Sequence, residues 1–277
     1  MMIFTDLDGT LLDHETYRWD KAKPALTLCK KLEIPLILAS SKTRAEIDTL
    51  RFELGLSSPF ISENGGGIFF PAESALEPPS DAVLFGEVWK WSLGRSYPEL
   101  VAALREIRDE LYWTIRGFSD MTVEEISALT GLDSERARLA AMREYDEPFI
   151  VSNRKEIHRE RLIEAAEKRG LMITEGGRFY HLQGFHDKGQ ALDKLTRWFK
   201  TYYDPVKTVA LGDGPNDFSM LKRVDYPVLV KSSRSYPELF MEIPSLMTTA
   251  ETGPAGWNAA VSDILVGKWN RGEQENV

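Results

Sequence analysis

Residues 2–13 read MIFTDLDGTLLD, and this stretch decides the fold of the chain. The short apolar run 2–5 ends abruptly in acids, a pattern typical of a buried strand. Asp6 and Asp8 follow the run directly, so the end of one strand can aim both carboxylates into a common site. The alternative interpretation of this spacing is a solvated acidic turn.

The two acids suit phosphoryl transfer. A carboxylate can act as a nucleophile toward phosphorus and form an aspartyl-phosphate. A second carboxyl group nearby can protonate the leaving oxygen and then activate water. Gly9 lets the backbone turn and present N–H groups to a phosphate.

Helix and strand patterns alternate at both ends of the chain. Apolar residues at helical spacing over 21–32 and 43–54 alternate with buried-strand runs at 34–39 and 59–62. The same alternation returns near the other end, where the pattern predicts helix 188–200, strand 208–211, helix 217–223 and strand 226–230. This order predicts an α/β fold, with a Rossmann-like parallel sheet whose strands are joined by right-handed crossovers.

The middle of the chain has longer and more charged segments. Amphipathic helices mix there with short strands, which is typical of an α+β domain. We therefore predict an inserted α+β domain at 83–184. The two flanking segments, 1–82 and 185–277, are expected to form the α/β core.

Composition and charge exclude several classes of protein. The chain has 277 residues, a net charge of −9 and one cysteine, Cys29, so no internal disulfide is possible. An acidic chain is a poor binder of nucleic acid or anionic membranes, and we expect neither as a partner. No apolar stretch approaches the roughly 20 residues of a membrane span, and the acidic N-terminus is unlike a signal peptide. We expect a cytoplasmic protein.

Parallel sheets carry functional groups at the carboxyl ends of their strands, and two further clusters fall there. Ser40 follows the run 34–39, where a hydroxyl beside a helix N-terminus suits a phosphate oxygen. The simpler interpretation is that Ser41 or Thr43 caps the next helix. Lys188 opens a helix, which the helix dipole disfavours unless an anion lies there. Taken alone, Lys188 is equally well explained as a surface lysine.

The run Gly-Asp-Gly-Pro-Asn-Asp, 212–217, follows the predicted strand 208–211 directly. Its two carboxylates, Asp213 and Asp217, converge with the amide of Asn216 in a tight turn. Hard oxygen ligands at a strand end suit Mg²⁺, which accepts one or two protein carboxylates together with water and substrate phosphate. The alternative is a glycine-rich turn with a helix cap.

Competing motifs are missing from the sequence. There is no Gly-x-x-x-x-Gly-Lys-Ser/Thr loop, and the glycines at 65–67 lack dinucleotide-binding spacing. The histidines do not show the spacing of zinc ligands, and a single cysteine disfavours a structural zinc site.

The order of these clusters resembles the haloacid dehalogenase-like (HAD) phosphatase superfamily. Asp6-x-Asp8-Gly-Thr, Ser40, Lys188 and the run 212–217 occur in the order of its motifs. The α+β insert is similar to the C2 cap of the Cof-like class. The segments SSKTRAEI, ENGGGIFFP, AMREYDEPF, GGRFYH, DKGQAL and GDGPND resemble the mannosyl-3-phosphoglycerate phosphatase subfamily over nearly the whole chain.

The resemblance implies a role for each core motif. It implies that Asp6 is the nucleophile and a Mg²⁺ ligand, and that Asp8 is the general acid and base, with a carbonyl that also binds Mg²⁺. It implies that Asp213 is the third protein ligand and that Asp217 supports the metal's waters. Ser40 and Lys188 would hold the phosphoryl oxygens. Many Cof-like members carry Thr-Gly-Arg where this chain has Ser-Ser-Lys at 40–42, but serine still supplies the hydroxyl.

The implied substrate is a phosphorylated sugar-glycerate, specifically 2-O-mannosyl-3-phosphoglycerate. A glucosyl-3-phosphoglycerate or another sugar phosphate is the nearest alternative. The carboxylate of the glycerate needs an arginine or backbone N–H groups, and the sugar needs polar partners. The residues expected to bind it are Asn64, Gly65, Arg143, Arg178, His181 and Asn216. For Arg143 and His181, structural roles are equally compatible with the sequence.

A protein of a different class, a non-catalytic phosphosugar sensor, would also keep such a pocket. Asp8 argues against it, because a sensor has no need of an acid at that position.

Overall fold

The computed structural model describes residues 1–74, 76–152, 158–176 and 178–268. Gly177, which belongs to the GGRFYH segment, lies outside the described residues. The chain divides into two compact units. Unit 1 comprises Met1–Ser40, Ser58–Phe60 and the described chain from Asp187 onward, and unit 2 comprises Ser41–Ser57 and Ile61–His186.

Strands and helices alternate in unit 1, whereas unit 2 mixes hairpins with helices. The strands are β1 (Met2–Thr5), β2 (Leu36–Leu38), β3 (Phe60–Ser62), β4 (Gly67–Pro71), β5 (Val83–Phe85), β6 (Val88–Ser92), β7 (Ile115–Gly117), β8 (Asp146–Val151), β9 (Met172–Gly176), β10 (Phe179–Gln183), β11 (Thr208–Gly212), β12 (Tyr226–Lys231) and β13 (Met247–Thr252). The helices are α1 (Lys23–Lys31), α2 (Arg44–Leu54), α3 (Tyr97–Leu111), α4 (Val123–Thr130), α5 (Ser134–Ala140), α6 (Arg159–Glu167), α7 (Lys188–Phe199), α8 (Phe218–Leu221), α9 (Pro237–Glu242) and α10 (Gly253–Leu265). None of the described helices is long and apolar enough to cross a membrane.

A five-stranded sheet in the order β13-β12-β11-β1-β2 forms the centre of unit 1. Its neighbouring strands all pair in parallel, and Ile3 in β1 lies opposite Val209 in β11 and Leu36 in β2. Every residue of β1 is buried, as expected of a parallel strand covered on both faces. The predicted α/β fold with a parallel sheet is confirmed.

Helix α7 of unit 1 has a capped first turn and one buried apolar face. Asp187 accepts a hydrogen bond from the N–H of Gln190 and so caps the first turn. The buried side chains Ala191, Leu192, Leu195 and Trp198 repeat at helical spacing and form one apolar face.

The third predicted segment of the far end is shorter than expected. We predicted a helix over 217–223, but Pro215–Asp217 forms a 3-10 turn and α8 is a single turn. The carboxylate of Asp217 accepts hydrogen bonds from the N–H groups of Asp213 and Gly214, which holds the preceding turn closed.

Two antiparallel sheets organise unit 2, with the strand orders β7-β8-β10-β9 and β3-β4-β6-β5. Helices α3 and α6 contribute Leu100, Leu104 and Leu162 to an apolar core shared with Phe149 and Tyr180 of the first sheet. This is the α+β composition expected of the insert.

Residues 83–184, the predicted insert, lie within unit 2, which also includes Ser41–Ser57 and the chain from Ile61. Strand β4 pairs antiparallel with β6, with Gly67 opposite Ser92, so the chain from Ile61 onward packs with the insert. Helix α2 joins the same unit, because Arg44 forms a 2.8 Å ion pair with Glu144. Pairing between strands that are not consecutive in the chain, and ion pairs between distant residues, have no signature in a local sequence pattern.

Candidate active site

Three carboxylates gather at the carboxyl edge of the sheet in unit 1. One oxygen each from Asp6, Asp213 and Asp217 lies within 4.8 Å of the others. Asp6 follows β1 and Asp213 follows β11, and these two strands are parallel neighbours. The N–H of Asp6 donates to the carbonyl of Leu211 at 2.9 Å, which continues the ladder up to the site. Adjacent parallel strands therefore bring together acids that are distant in sequence.

A buried lysine bridges two of these acids. The Nζ of Lys188, the first residue of α7, lies 2.6 Å from Oδ1 of Asp6 and 2.6 Å from Oδ1 of Asp217. Lys188 is fully buried, so it is not the surface lysine that the sequence also allowed. Burial alone would lower the pKa of Lys188, but the charges of Asp217 and Asp6 outweigh it and raise that pKa. Lys188 is therefore a fixed positive charge in the site.

Asp217 is enclosed on both of its oxygens. Oδ1 accepts the lysine, and Oδ2 accepts the N–H groups of Asp213 and Gly214 at 3.0 and 3.1 Å. Gly212 is needed for this approach, because a Cβ there would lie 2.4 Å from the Asp217 side chain. Asp217 belongs to the acidic cluster by distance, and in this geometry it also contacts Lys188 and holds the 212–217 turn closed.

The surroundings of Asp6 and Asp213 disfavour the ionised forms of both carboxyl groups. Burial, followed by the charge of Asp217, raises the pKa of Asp6 to about 8 and that of Asp213 to about 6. A divalent cation beside them would reverse this effect and favour both ionised forms. Carboxylate oxygens gathered at the ends of two neighbouring strands fit Mg²⁺, which prefers carboxylate oxygens and water.

The turn after β1 packs against Asp213. Gly9 has a φ of +80°, and a Cβ on it would lie 2.6 Å from Oδ2 of Asp213, so only glycine fits there. Thr10 donates its hydroxyl to Oδ1 of Asp213 at 3.2 Å. The sequence motif contains Thr10, but the spacing alone did not indicate this contact. Asp8 is partly exposed in the same turn.

The other predicted core residues also belong to unit 1. Ser40 is buried just beyond the carboxyl end of β2, which is the neighbour of β1 on its other side. Asn216 lies in the 3-10 turn Pro215–Asp217 and is exposed. Ser40 and Asn216 therefore both follow strands of the sheet that carries the acids.

The predicted substrate residues of unit 2 do not form one cluster, and two of them, Arg143 and His181, contact Asp146. Arg143 donates to the carbonyls of Ala140 and Ser41 and contacts Asp146 at 3.3 Å. Nδ1 of His181 lies 2.8 Å from Oδ2 of Asp146. Burial would raise the pKa of Asp146, but His181 and then Arg143 outweigh it, and the pKa is lowered. Arg143 and His181 thus hold a buried carboxylate in its charged form.

Asn64 and Gly65 lie in the 3-10 turn Glu63–Gly65. Glu63 and Asn64 have φ values of 47° and 54°, a left-handed conformation that is uncommon for residues other than glycine. The buried carboxylate of Glu63 accepts the N–H of Tyr145 at 2.8 Å and so fixes this turn to a distant segment of unit 2. The sequence did not reveal this contact, because its partners are 82 residues apart.

Arg178 is exposed, and its Nη1 donates to the carbonyl of Leu129 at 2.8 Å. Among the described residues, its other guanidinium nitrogens make no hydrogen bond.

The parallel sheet, the acidic cluster and the buried lysine define a hydrolase of the HAD type. The haloacid dehalogenase-like hydrolase family matches residues 3–78 and 150–236, and the chain belongs to this family. Solved structures share the fold. One is a haloacid dehalogenase-like hydrolase from Bacteroides thetaiotaomicron, with a TM-score of 0.64, 17% identity and coverage of 95% of this chain and 98% of that one. Another is a HAD subclass IIB sugar phosphatase, with a TM-score of 0.62, 17% identity and coverage of 95% and 98%.

Two curated relatives are much closer in sequence. Both are named glucosyl-3-phosphoglycerate/mannosyl-3-phosphoglycerate phosphatase. The protein from Methanococcoides burtonii is 43% identical over 269 residues, which cover 97% of this chain and 98% of the relative. The protein from Persephonella marina is also 43% identical over 269 residues, with coverage of 96% and 97%.

Proposed function

We propose that this protein is a Mg²⁺-dependent phosphatase that hydrolyses 2-O-mannosyl-3-phosphoglycerate to mannosylglycerate and phosphate through a phosphorylated Asp6. Glucosyl-3-phosphoglycerate is the second candidate substrate, because both curated relatives are named for the two esters together. The observation that carries the proposal is the contact between Asp6 and Lys188, which leaves one oxygen of the acid for attack.

In the first step, one carboxylate oxygen of Asp6 attacks phosphorus. Oδ1 is held at 2.6 Å by Lys188, and no hydrogen bond from the described residues reaches Oδ2. A bond forms between this oxygen and phosphorus, and the bond from phosphorus to the glycerate oxygen breaks. The carboxyl group of Asp8 gives its proton to that departing oxygen.

In the second step, Asp8 takes a proton from water, which attacks phosphorus and displaces the carboxylate of Asp6. Phosphate leaves, and both acids return to their starting states. Lys188 and Ser40 would hold phosphoryl oxygens during both steps. Positioning and electrostatics contribute most of the catalysis in such transfers.

Asp6, Asp213 and the backbone carbonyl of Asp8 would hold Mg²⁺. When bound, the ion neutralises negative charge on the phosphoryl group and on these acids. Without it, the attack of one anion on another would be opposed by Asp213 and Asp217 as well as by the substrate.

The core residues recognise phosphate but contain nothing suited to a sugar. We propose that unit 2 supplies that recognition through Asn64, Gly65, Arg143, Arg178 and His181. Arg178 is the best candidate for the glycerate carboxylate, because part of its guanidinium makes no hydrogen bond within the described residues. Nε2 of His181 is suited to a sugar hydroxyl, since Asp146 orients the ring through Nδ1. Asn216 of unit 1 is proposed as a further substrate contact.

The test is a panel of phosphate-release assays with Mg²⁺ on mannosyl-3-phosphoglycerate, glucosyl-3-phosphoglycerate, a hexose phosphate and an aryl phosphate. We expect kcat/KM to be highest for the two glycosyl-3-phosphoglycerates. Equal rates on the hexose phosphate would contradict the substrate class. A lack of turnover on every ester would favour the non-catalytic sensor instead.

A further inference from the structure

A chain of two hydrogen bonds runs from helix α10 to the backbone of Asp6. Nε1 of Trp257 donates to Oγ1 of Thr5 at 2.9 Å, and Oγ1 of Thr5 donates to the carbonyl oxygen of Asp6 at 2.8 Å. Trp257 and Thr5 are both fully buried, so water does not compete for these bonds. In such surroundings, a lost partner leaves a buried donor or acceptor unsatisfied.

Together with two other contacts, these bonds hold the backbone and side chain of Asp6 in place. Its N–H donates to Leu211 at 2.9 Å, and its carbonyl is held by Thr5. Its side chain is held at Oδ1 by Lys188. The peptide groups on both sides of the Asp6 Cα are therefore restrained, and together with the Lys188 contact they limit the direction of the unbonded oxygen.

Helix α10 is itself anchored where it reaches this strand. Gly253, its first residue, has a φ of +53° and lies near Leu12 and Asp13 in the turn after β1. Trp257 lies four residues further, on the same face of the helix. Asn258 accepts a hydrogen bond from the N–H of Ala25 at 2.9 Å, which fixes α10 to α1. The indole is thus presented from a well-supported helix.

We infer that Trp257 is a positioning residue for phosphoryl transfer, acting through the hydroxyl of Thr5 on the nucleophile Asp6. This inference rests on the proposed function, in which Asp6 attacks phosphorus. Trp257 touches neither substrate nor metal ligand in this role. Its contribution is the aim of the attacking oxygen, to which such reactions are very sensitive.

The test compares Thr5→Val, Thr5→Ser and Trp257→Phe in steady-state assays with Mg²⁺ on an aryl phosphate. Valine keeps the shape of the side chain but removes the hydroxyl, whereas serine keeps the hydroxyl. We expect Thr5→Val and Trp257→Phe each to lower kcat roughly tenfold, with KM within about twofold of the wild type. Thr5→Ser should keep kcat within about threefold of the wild type.

Val261→Ala is the matched control, because Val261 is a fully buried residue of the same helix, one turn beyond Trp257. It should lower the melting temperature without lowering kcat. The double variant Thr5→Val with Trp257→Phe should be no slower than the slower single variant, because both changes break the same chain.

Two results overturn the inference. If Thr5→Val and Trp257→Phe keep the kcat of Val261→Ala, the hydrogen bonds stabilise the fold without aiming Asp6, and the proposed function stands. If the wild-type protein releases no phosphate from any ester, the proposed function fails and the inference fails with it.

Discussion

The ammonium group of Lys188 lies 2.6 Å from Oδ1 of Asp6, and both residues are buried. Lys188 is equally close to Asp217, so one cation balances two buried carboxylates. Removing one partner of a buried ion pair costs far more than removing a surface pair, because the remaining charge is left uncompensated. The stability of unit 1 and its catalytic site therefore depend on the same lysine.

Lys188→Met should lower the free energy of unfolding by about 3–5 kcal/mol and reduce turnover at least as severely. Denaturant unfolding in the presence of chelator measures the first effect. Lys222→Met is the matched control, because Lys222 is partly exposed and pairs with Glu242 on the surface. That change should cost no more than about 1 kcal/mol. Equal losses of unfolding free energy in the two variants would show that the buried contact stabilises the protein no more than the surface pair.

The metal prediction concerns Asp6 and Asp213. The apo protein should show no phosphatase activity in chelator, and added Mg²⁺ should restore it. Ca²⁺ should inhibit, because it accepts more ligands at longer distances and can engage both oxygens of Asp6, which leaves none to attack. Full activity in chelator would contradict the metal site, and full activity with Ca²⁺ would contradict the geometric reason.

Arg178→Ala tests how the glycerate carboxylate is recognised. We expect kcat/KM on mannosyl-3-phosphoglycerate to fall by about 1.5–3 kcal/mol in transition-state free energy, the usual contribution of a hydrogen bond to a charged group. Activity on an aryl phosphate, which has no carboxylate, should change far less. The control is Arg138→Ala, an exposed arginine of α5 that pairs with Glu135. Equal losses on both substrates would place the carboxylate at Arg143 or at the backbone N–H groups of 65–67.

Glu63 gives a prediction for the pH dependence of stability. Burial raises its pKa from 4.5 to about 8, so from about pH 4.5 to about 8 the folded protein keeps a proton that the unfolded chain releases. Unfolding then releases a proton, and the free energy of unfolding falls as the pH rises through this window, by up to about 1.4 kcal/mol per pH unit. Denaturant unfolding at pH 5, 6, 7 and 8 measures this slope.

Glu63→Gln cannot release that proton, so its stability should depend less on pH than that of the wild type. Glu106→Gln, on the surface of α3, should keep the wild-type slope. If wild type and Glu63→Gln lose stability in parallel between pH 5 and 8, Glu63 is not the group responsible.

The acids of the site were predictable because their signature is local. A short apolar run followed by Asp6 and Asp8, and a second run followed by Asp213, indicate two strand ends with oxygen ligands. A parallel α/β sheet was enough to expect these ends at one edge. The spacing of the motifs does not predict that β1 and β11 are direct neighbours, because their pairing joins distant parts of the chain.

The environment of each acid was not predictable in the same way. Asp213 and Asp217 look alike in the sequence, but only the fold encloses Asp217 between Lys188 and two backbone N–H groups. Trp257 and Thr5 are 252 residues apart and have no common motif. Arg143 looked like a substrate ligand or a structural arginine, and only the fold brings it to the carbonyl of Ser41, 102 residues away. The local sequence pattern predicts which chemical groups are present, and tertiary contacts determine what each group binds.

The most direct test of the account uses Asp8→Asn to trap the phosphorylated form of Asp6. An aryl phosphate has a leaving group that departs without a proton, so the first step should still proceed in this variant. The second step needs Asp8 to activate water, so the phosphorylated protein should accumulate. After acid quench, peptide mass spectrometry should locate a phosphoryl group on Asp6 in Asp8→Asn, much less in the wild type, and none in Asp6→Asn. Phosphate release by Asp8→Asn at the wild-type rate with no phosphorylated peptide, or a phosphoryl group on another residue, would contradict the account.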